Sequence, residues 1–201
     1  MPDRLLGTGL RRGELLGLRV TDLDLGRGRI HVRQALRKRR DGSEEMGPCK
    51  TDRSRRIIVI PEPLIELLVS YLAKRPKTRS NLLFLNLAAR PFTLGGFESS
   101  WQKVRARASA IMCADAEQLH DPFAEHAGDE LAAARFHDLR HTHATELLRA
   151  GVHIKIVAER LGDSETTVMK TYSHVLPDMQ ESAAAAIEPM MRGLLSKAPT
   201  P

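Results

Sequence analysis

The sequence predicts a mostly helical α+β fold, and three observations carry that prediction. Apolar residues recur three and four apart over much of the chain. Two short runs rich in β-branched residues, RIHVRQAL at 29–36 and RRIIVIP at 55–61, lie near the front. With 201 residues, 42% hydrophobic and 28% charged, the chain is globular and long enough for one core. One domain is therefore the default.

In order, Thr8–Gly9 is a turn that introduces a helix in RRGELLGL, where Leu15 and Leu18 lie three apart behind Glu14. The two β-branched runs flank a polar, glycine-containing segment and read as a single hairpin, which Pro61 ends. Leu64, Leu67, Leu68, Tyr71 and Leu72 then form one helical stripe, with Tyr71 in the core; Phe97, Trp101, Val104 and Ala108 form another. Residues 113–134 are acidic and only partly periodic, which predicts a loop or short helical insertion. Within it, His120, Asp121, Glu125 and His126 lack the two-histidine helical spacing of a metal site, and Pro122 breaks their face.

From residue 137 the pattern is helical again. Asp138 is placed to cap a helix bearing Leu139, Leu147 and Leu148, which Gly151 ends. Ile154, Val157, Ala158 and Leu161 follow the 3.6-residue period up to Gly162. Asp163 or Ser164 then caps a third helix, on which Val168 and Tyr172 lie four apart. The last pair resembles a helix-turn-helix. In the tail, SAAAAIEPMMRGLLSK, Ile187, Met190, Met191, Leu194 and Leu195 form an apolar face interrupted by Pro189.

Charge bounds the partners. There are 31 Lys and Arg against 25 Asp and Glu, a net charge of +6, which favours a polyanion. Arginine supplies 23 of those cations, and its planar fork can hold two phosphate oxygens at once. The run Arg37, Lys38, Arg39 and Arg40 interrupts a strand pattern and is a candidate DNA-binding cluster, or else a solvated loop. No apolar run approaches the roughly 20 residues of a membrane span, and the first residues lack a signal peptide's apolar region, so a cytoplasmic protein is expected. Cys49 and Cys113 are too few for a disulfide framework and are expected to be reduced and structural.

Five elements then align. Arg11 in TGLRRGE, Lys50 in GPCKTDRSRR, His137 and Arg140 in HDLRHTHAT, and Tyr172 in KTYSHV together resemble the tyrosine recombinases of the phage integrase family. The resemblance covers nearly the whole chain and rests on the order of the elements, since HxxR alone occurs by chance. It implies a tyrosine recombinase catalytic-domain fold over residues 1–178, followed by a C-terminal helical tail at 179–201. Such recombinases usually carry a DNA-clamping domain before the TGLR segment, and only ten residues precede Arg11 here, so an N-terminally truncated catalytic domain is expected.

The chemistry implied is strand transfer on double-stranded DNA by homo-oligomers, a tetramer in the synapse, with no metal or cofactor. Tyr172 would be the nucleophile, and its ordinary pKa of about 10 means that a neighbour must help it ionise. The resemblance puts His137 in that role. Arg11 and Arg140 would hold the nonbridging oxygens, where charge grows in the transition state. Lys50 would protonate the departing 5′ oxygen, with Arg53, Arg55 and Arg56 as neighbouring alternatives. His141, His143 and His174 are expected to be structural. Taken singly, each residue has a simpler role, such as a capping contact between Arg11 and Glu14 or packing of Tyr172 on Val168.

One position departs from the pattern. Where the family usually presents a second histidine or a tryptophan, this chain has Asp163. A carboxylate cannot donate to phosphate and repels it, so its expected role is to cap the Tyr172 helix. Two other functions remain open, a type IB topoisomerase-like enzyme using the same phosphotyrosine step and a noncatalytic helix-turn-helix DNA binder.

Overall fold

The computed structural model describes residues 7–49, 51–118, 129–173, 184–185 and 187–192. Helix α1 (Arg12–Gly17) buries Leu15, and Leu18, the other residue of the predicted pair, is buried at its C-cap; Leu16 is buried as well. It also packs its backbone onto strand β3 (Gln34–Lys38). A Cβ at Gly13 would lie 2.4 Å from the Leu36 carbonyl oxygen, and one at Gly17 2.8 Å from that of Gln34. Only glycine permits so close an approach.

The predicted hairpin is half right. Strand β2 (Arg29–Val32) does pair antiparallel with β5 (Arg56–Val59), Ile30 opposite Ile58, and short β1 (Leu23–Asp24) completes the sheet in the order β1-β2-β5. At Arg33, however, the first run divides. Its second half, β3, pairs instead with β4 (Glu44–Pro48), drawn from the segment expected to be a loop. EEMGP has little intrinsic strand propensity. Its pairing is supported across the ladder, where Arg37 faces Glu45 and Lys38 faces Glu44. The basic run thus does not interrupt a strand, because Arg37 and Lys38 belong to one.

Pro61 begins α2 (Glu62–Lys74), whose Leu64 and Leu68 are buried. Tyr71 packs against the same core and donates its hydroxyl to the Leu83 carbonyl at 3.0 Å. Helix α3 (Leu94–Gln118) extends beyond the predicted stripe into the expected insertion; Phe97 and Trp101 are buried, but Val104 is not. A short α4 (Asp129–Ala133) follows. The intervening residues 119–128, with His120, Asp121, Glu125 and His126, lie outside the described residues. Phe97 and Trp101 meet Phe136 edge-on at 5.1 and 5.7 Å, fixing α3 against the start of α5 (Phe136–Arg149).

Asp138 is not the first residue of that helix. Arg135 occupies the cap, and Asp138, in the first turn, accepts the Arg135 backbone N–H at 2.8 Å. Helices α6 (Ile154–Leu161) and α7 (Glu165–Tyr172) follow as the spacing predicts, with Gly162 closing α6. Among the described residues, two apolar clusters result. The larger joins α1, the sheets, α2 and α3; the smaller holds Ala144, Leu148, Val157, Ala158, Leu161, Val168 and Tyr172 on α5–α7. Polar contacts tie β5 to α6, where Arg56 Nε donates to the Arg160 carbonyl at 2.7 Å and Arg160 donates to that of Val59 at 2.8 Å. Among the described residues, no helix is long and apolar enough to cross a membrane.

Candidate active site

The turn before α1 sets the first half of the site. Gly9 has φ +68°, and a Cβ there would lie 2.8 Å from both His143 Cδ2 and Leu161 Cδ2. The positive φ and the close contact together favour glycine. Clamped in this way, the turn aims the Gly9 carbonyl at Arg140, which donates to it from Nη1 at 2.6 Å. Two residues later Arg11 leaves the same turn. Arg11 and Arg140, 129 positions apart in sequence, thereby converge.

What they converge on is Asp163. Arg11 Nη2 donates to Oδ1 and Arg140 Nη2 to Oδ2, so one carboxylate bridges both guanidiniums. Arg11 also donates to Glu14 Oε1 at 3.0 Å and to the Gly162 carbonyl. The expected capping role of Asp163 is therefore corrected. Ser164 is the cap of α7, accepting the Thr167 backbone N–H at 3.1 Å, which leaves the Asp163 carboxylate free to serve the arginines. Arg140 is buried, and burial together with the charge of Arg11 lowers its pKa from the ordinary arginine value, Asp163 offsetting them only in part.

Tyr172 ends α7 with its ring in the smaller apolar cluster. Burial, assisted by Asp163 and opposed by Arg140, pushes its hydroxyl above the usual tyrosine value. The resemblance puts His137 in the role beside it, and His141 is expected to be structural. The contact is made by His141, whose Nδ1 lies 2.9 Å from the phenol oxygen. His137 lies one turn earlier on α5 and meets the His141 ring edge-on at 4.7 Å. Its pKa is lowered by burial and by the neighbouring charges of His141, Arg140 and Arg11. The signal that could have found His141 is its position next to Arg140 and four after His137, on one helical face.

His143 is held differently. Its Nε2 accepts from Arg160 Nε at 2.9 Å, and burial followed by the charges of Arg160 and Arg140 pushes its pKa down to about 4.

Lys50 lies outside the described residues. Of its neighbouring alternatives, Arg56 is buried and held bidentate by Glu14 at 2.9 and 3.1 Å, so it is unsuited to proton donation. Arg53 and Arg55 are exposed and, with Lys155 and Asp163, line a cleft of about 860 Å³ between β5 and the α6–α7 junction. The basic cluster stands apart on β3 and its turn. There Arg39 is paired with Glu45, Arg37 is partly buried, and Lys38 and Arg40 are exposed.

Comparison with known proteins bears on this arrangement. The model of the phage integrase family matches residues 3–179. A "Tyrosine recombinase XerC-like" protein of Caldanaerobacter subterraneus is 29% identical over 191 residues, covering 90% of this chain and 46% of the relative. Tyrosine recombinase XerD of Staphylococcus haemolyticus is 29% identical over 178 residues, covering 86% and 48%. The chain thus spans about half the length of the curated relatives it matches. Among solved structures, the Tn1549 transposon integrase in complex with a circular intermediate DNA aligns with a TM-score of 0.71 at 25% identity, over 94% of this chain and 57% of that one.

Proposed function

The chain belongs to the phage integrase family, and from that premise we propose that it cuts and rejoins double-stranded DNA in site-specific recombination through a 3′-phosphotyrosine intermediate. The observation that carries this reading is the hydrogen bond between Tyr172 and His141 on the same helix that brings Arg140 to Arg11. A phenol raised by burial stays protonated at neutral pH, so it attacks only if its proton leaves in the same step. His141 Nδ1 is the acceptor within reach, and His137 supports its ring from the preceding turn.

In the proposed step the Tyr172 oxygen bonds to phosphorus and its proton passes to His141. Arg11 and Arg140 stabilise the charge that builds on the nonbridging oxygens. The bond to the 5′ oxygen breaks, and Lys50 supplies a proton to that oxygen. The phosphotyrosine retains the energy of the broken bond, so a 5′ hydroxyl of another strand can reverse the step. This reading takes residues 1–178 as the catalytic unit, assigns Arg37, Lys38, Arg39 and Arg40 to the DNA backbone, and expects a tetramer in the synapse. It also gives the tail an acceptor on a neighbouring protomer. Ile187, Met190 and Met191 are exposed there, while Leu194 and Leu195 lie outside the described residues.

A suicide substrate, nicked near the cleavage site so that the leaving strand escapes, tests the proposal. Covalent protein–DNA adduct mapping to Tyr172, and lost in Tyr172→Phe, is expected. Adduct through another residue, or undiminished adduct from Tyr172→Phe, rules the assignment out. Deletion after Asp178 is expected to impair assembly on DNA; unchanged assembly removes the role given to the tail.

A further inference from the structure

Both arginines of the site already hold an anion, and it belongs to the chain itself. A carboxylate that accepts one guanidinium on each oxygen presents the same pair of acceptors as the two nonbridging oxygens of a phosphodiester. We propose that Asp163 is a resident anion of the phosphate seat: it holds Arg11 and Arg140 in register before DNA arrives, and an entering phosphate must displace it. The inference rests on the proposed recombinase reading for the identity of that phosphate, and on the structure for the seat.

Three features support it. First, among the described residues the carboxylate accepts side-chain bonds from these two arginines alone, since Ser164 rather than Asp163 caps α7. Rotation of the Asp163 side chain therefore leaves the helix that bears Tyr172 intact. Second, the arrangement is anchored on one side and open on the other. Arg140 is 4% exposed and fixed by the Gly9 carbonyl, whereas the side chains of Asp163 and Arg11 are 22% and 36% exposed and Asp163 faces the basic cleft. Neither arginine lines the cleft while Asp163 is in place; the carboxylate can leave toward the cleft, and the partly exposed Arg11 is the guanidinium an incoming anion meets first. Third, two guanidiniums brought together with one of them buried repel each other unless an anion lies between them. Some anion is required there in both states, and the chain supplies one for the state without DNA.

A displaceable anion and a permanent brace make opposite predictions about a competing oxyanion, so sulfate is the probe. Its affinity for the whole chain is measured by calorimetry, with folding checked by circular dichroism. Asp163→Asn keeps the shape and removes the charge. Sulfate should bind it at least tenfold more tightly than the parent chain, and should raise its Tm more. In the parent chain, saturating sulfate should move the carbon-13 resonance of the Asp163 carboxyl to that of a solvated aspartate. Equal or weaker sulfate binding by folded Asp163→Asn overturns the proposal, as does failure of sulfate to bind either protein. Should Asp163→Asn fail to fold, the parent resonance decides, and a signal unmoved at saturating sulfate overturns the proposal. None of these readouts requires DNA cleavage. A chain that never forms the Tyr172 adduct thus removes the recombinase reading and leaves the resident anion standing or falling by itself.

Discussion

Glu14 and Asp163 each lie between two arginines, and Arg11 is common to both, yet the two carboxylates do different work. The Glu14 side chain is 4% exposed and that of its partner Arg56 6%; Arg56 has further acceptors in the carbonyls of Ser54 and Arg160. Burial by itself would raise the Glu14 carboxyl, but the hydrogen bonds and charge of Arg56, joined by Arg11, outweigh it and hold the group below the usual value. Asp163 is 22% exposed and stands on a cleft wall. The same pair of residue types thus makes a closed tie between α1 and β5 in one place and an open anion seat in the other. Solvent access, rather than residue identity, separates structure from chemistry here.

The comparison breaks most visibly at Glu14. Glu14→Ala leaves Arg56 buried without its carboxylate, a loss that costs about 3–5 kcal/mol in comparable buried pairs. Asp163→Ala should cost less, about 1–2 kcal/mol, because Arg140 keeps the Gly9 carbonyl and Arg11 keeps Glu14. Urea unfolding of both variants measures the difference, and equal losses would mean that the two nodes are structurally equivalent.

On the catalytic side, Arg140→Ala should slow adduct formation with a suicide substrate by about 10²–10³-fold, the range seen when one preorganised oxyanion donor is removed. A rate within threefold of the parent would show that the buried arginine does not meet the phosphate.

His143 sharpens the contrast through pH. Its folded pKa of about 4 lies below the ordinary 6.5, so the unfolded chain binds more protons between these values. The stability that it contributes is present above about pH 6.5 and lost as pH falls toward 4, up to about 3 kcal/mol. His143→Gln, which retains an acceptor for Arg160, should flatten that part of the Tm–pH curve. A parent curve already flat from pH 6.5 to 4 would contradict the buried neutral imidazole.

The smallest effect concerns the cap. Ser164→Ala should destabilise by about 1 kcal/mol through loss of the Thr167 N–H bond. Thermal melts of Ser164→Ala alongside Asp163→Asn separate the cap from the bridge, because only the former removes the acceptor of the α7 turn.

Much of the fold was legible because its signals are local. The stripe of Leu64, Leu68 and Tyr71, the period through Val157 and Leu161, and the stop at Gly162 each depend on neighbours within a turn or two. The hairpin was only partly legible. Arg29–Val32 finds its partner by β-branched pattern, but β4 pairs with the β3 strand that α1 covers, a partner that a window of sequence does not contain. For the proposed site, residue type and order single out Arg11, His137, Arg140 and Tyr172 as candidates. Their contacts are not legible in this way.

By itself, the sequence determined the mostly helical class, the basic balance that favours a polyanion and the ordered set of residues that resembles a recombinase. These depend on composition, periodicity and order along the chain. Only the tertiary structure decided that His141 rather than His137 meets the phenol, that Ser164 caps α7 and that Asp163 bridges Arg11 and Arg140. The reason is geometric. A side chain one turn away on a helix points to nearly the same face, so sequence narrows the choice to a pair, whereas the 2.9 Å that makes a hydrogen bond is set by how α5 packs on α7.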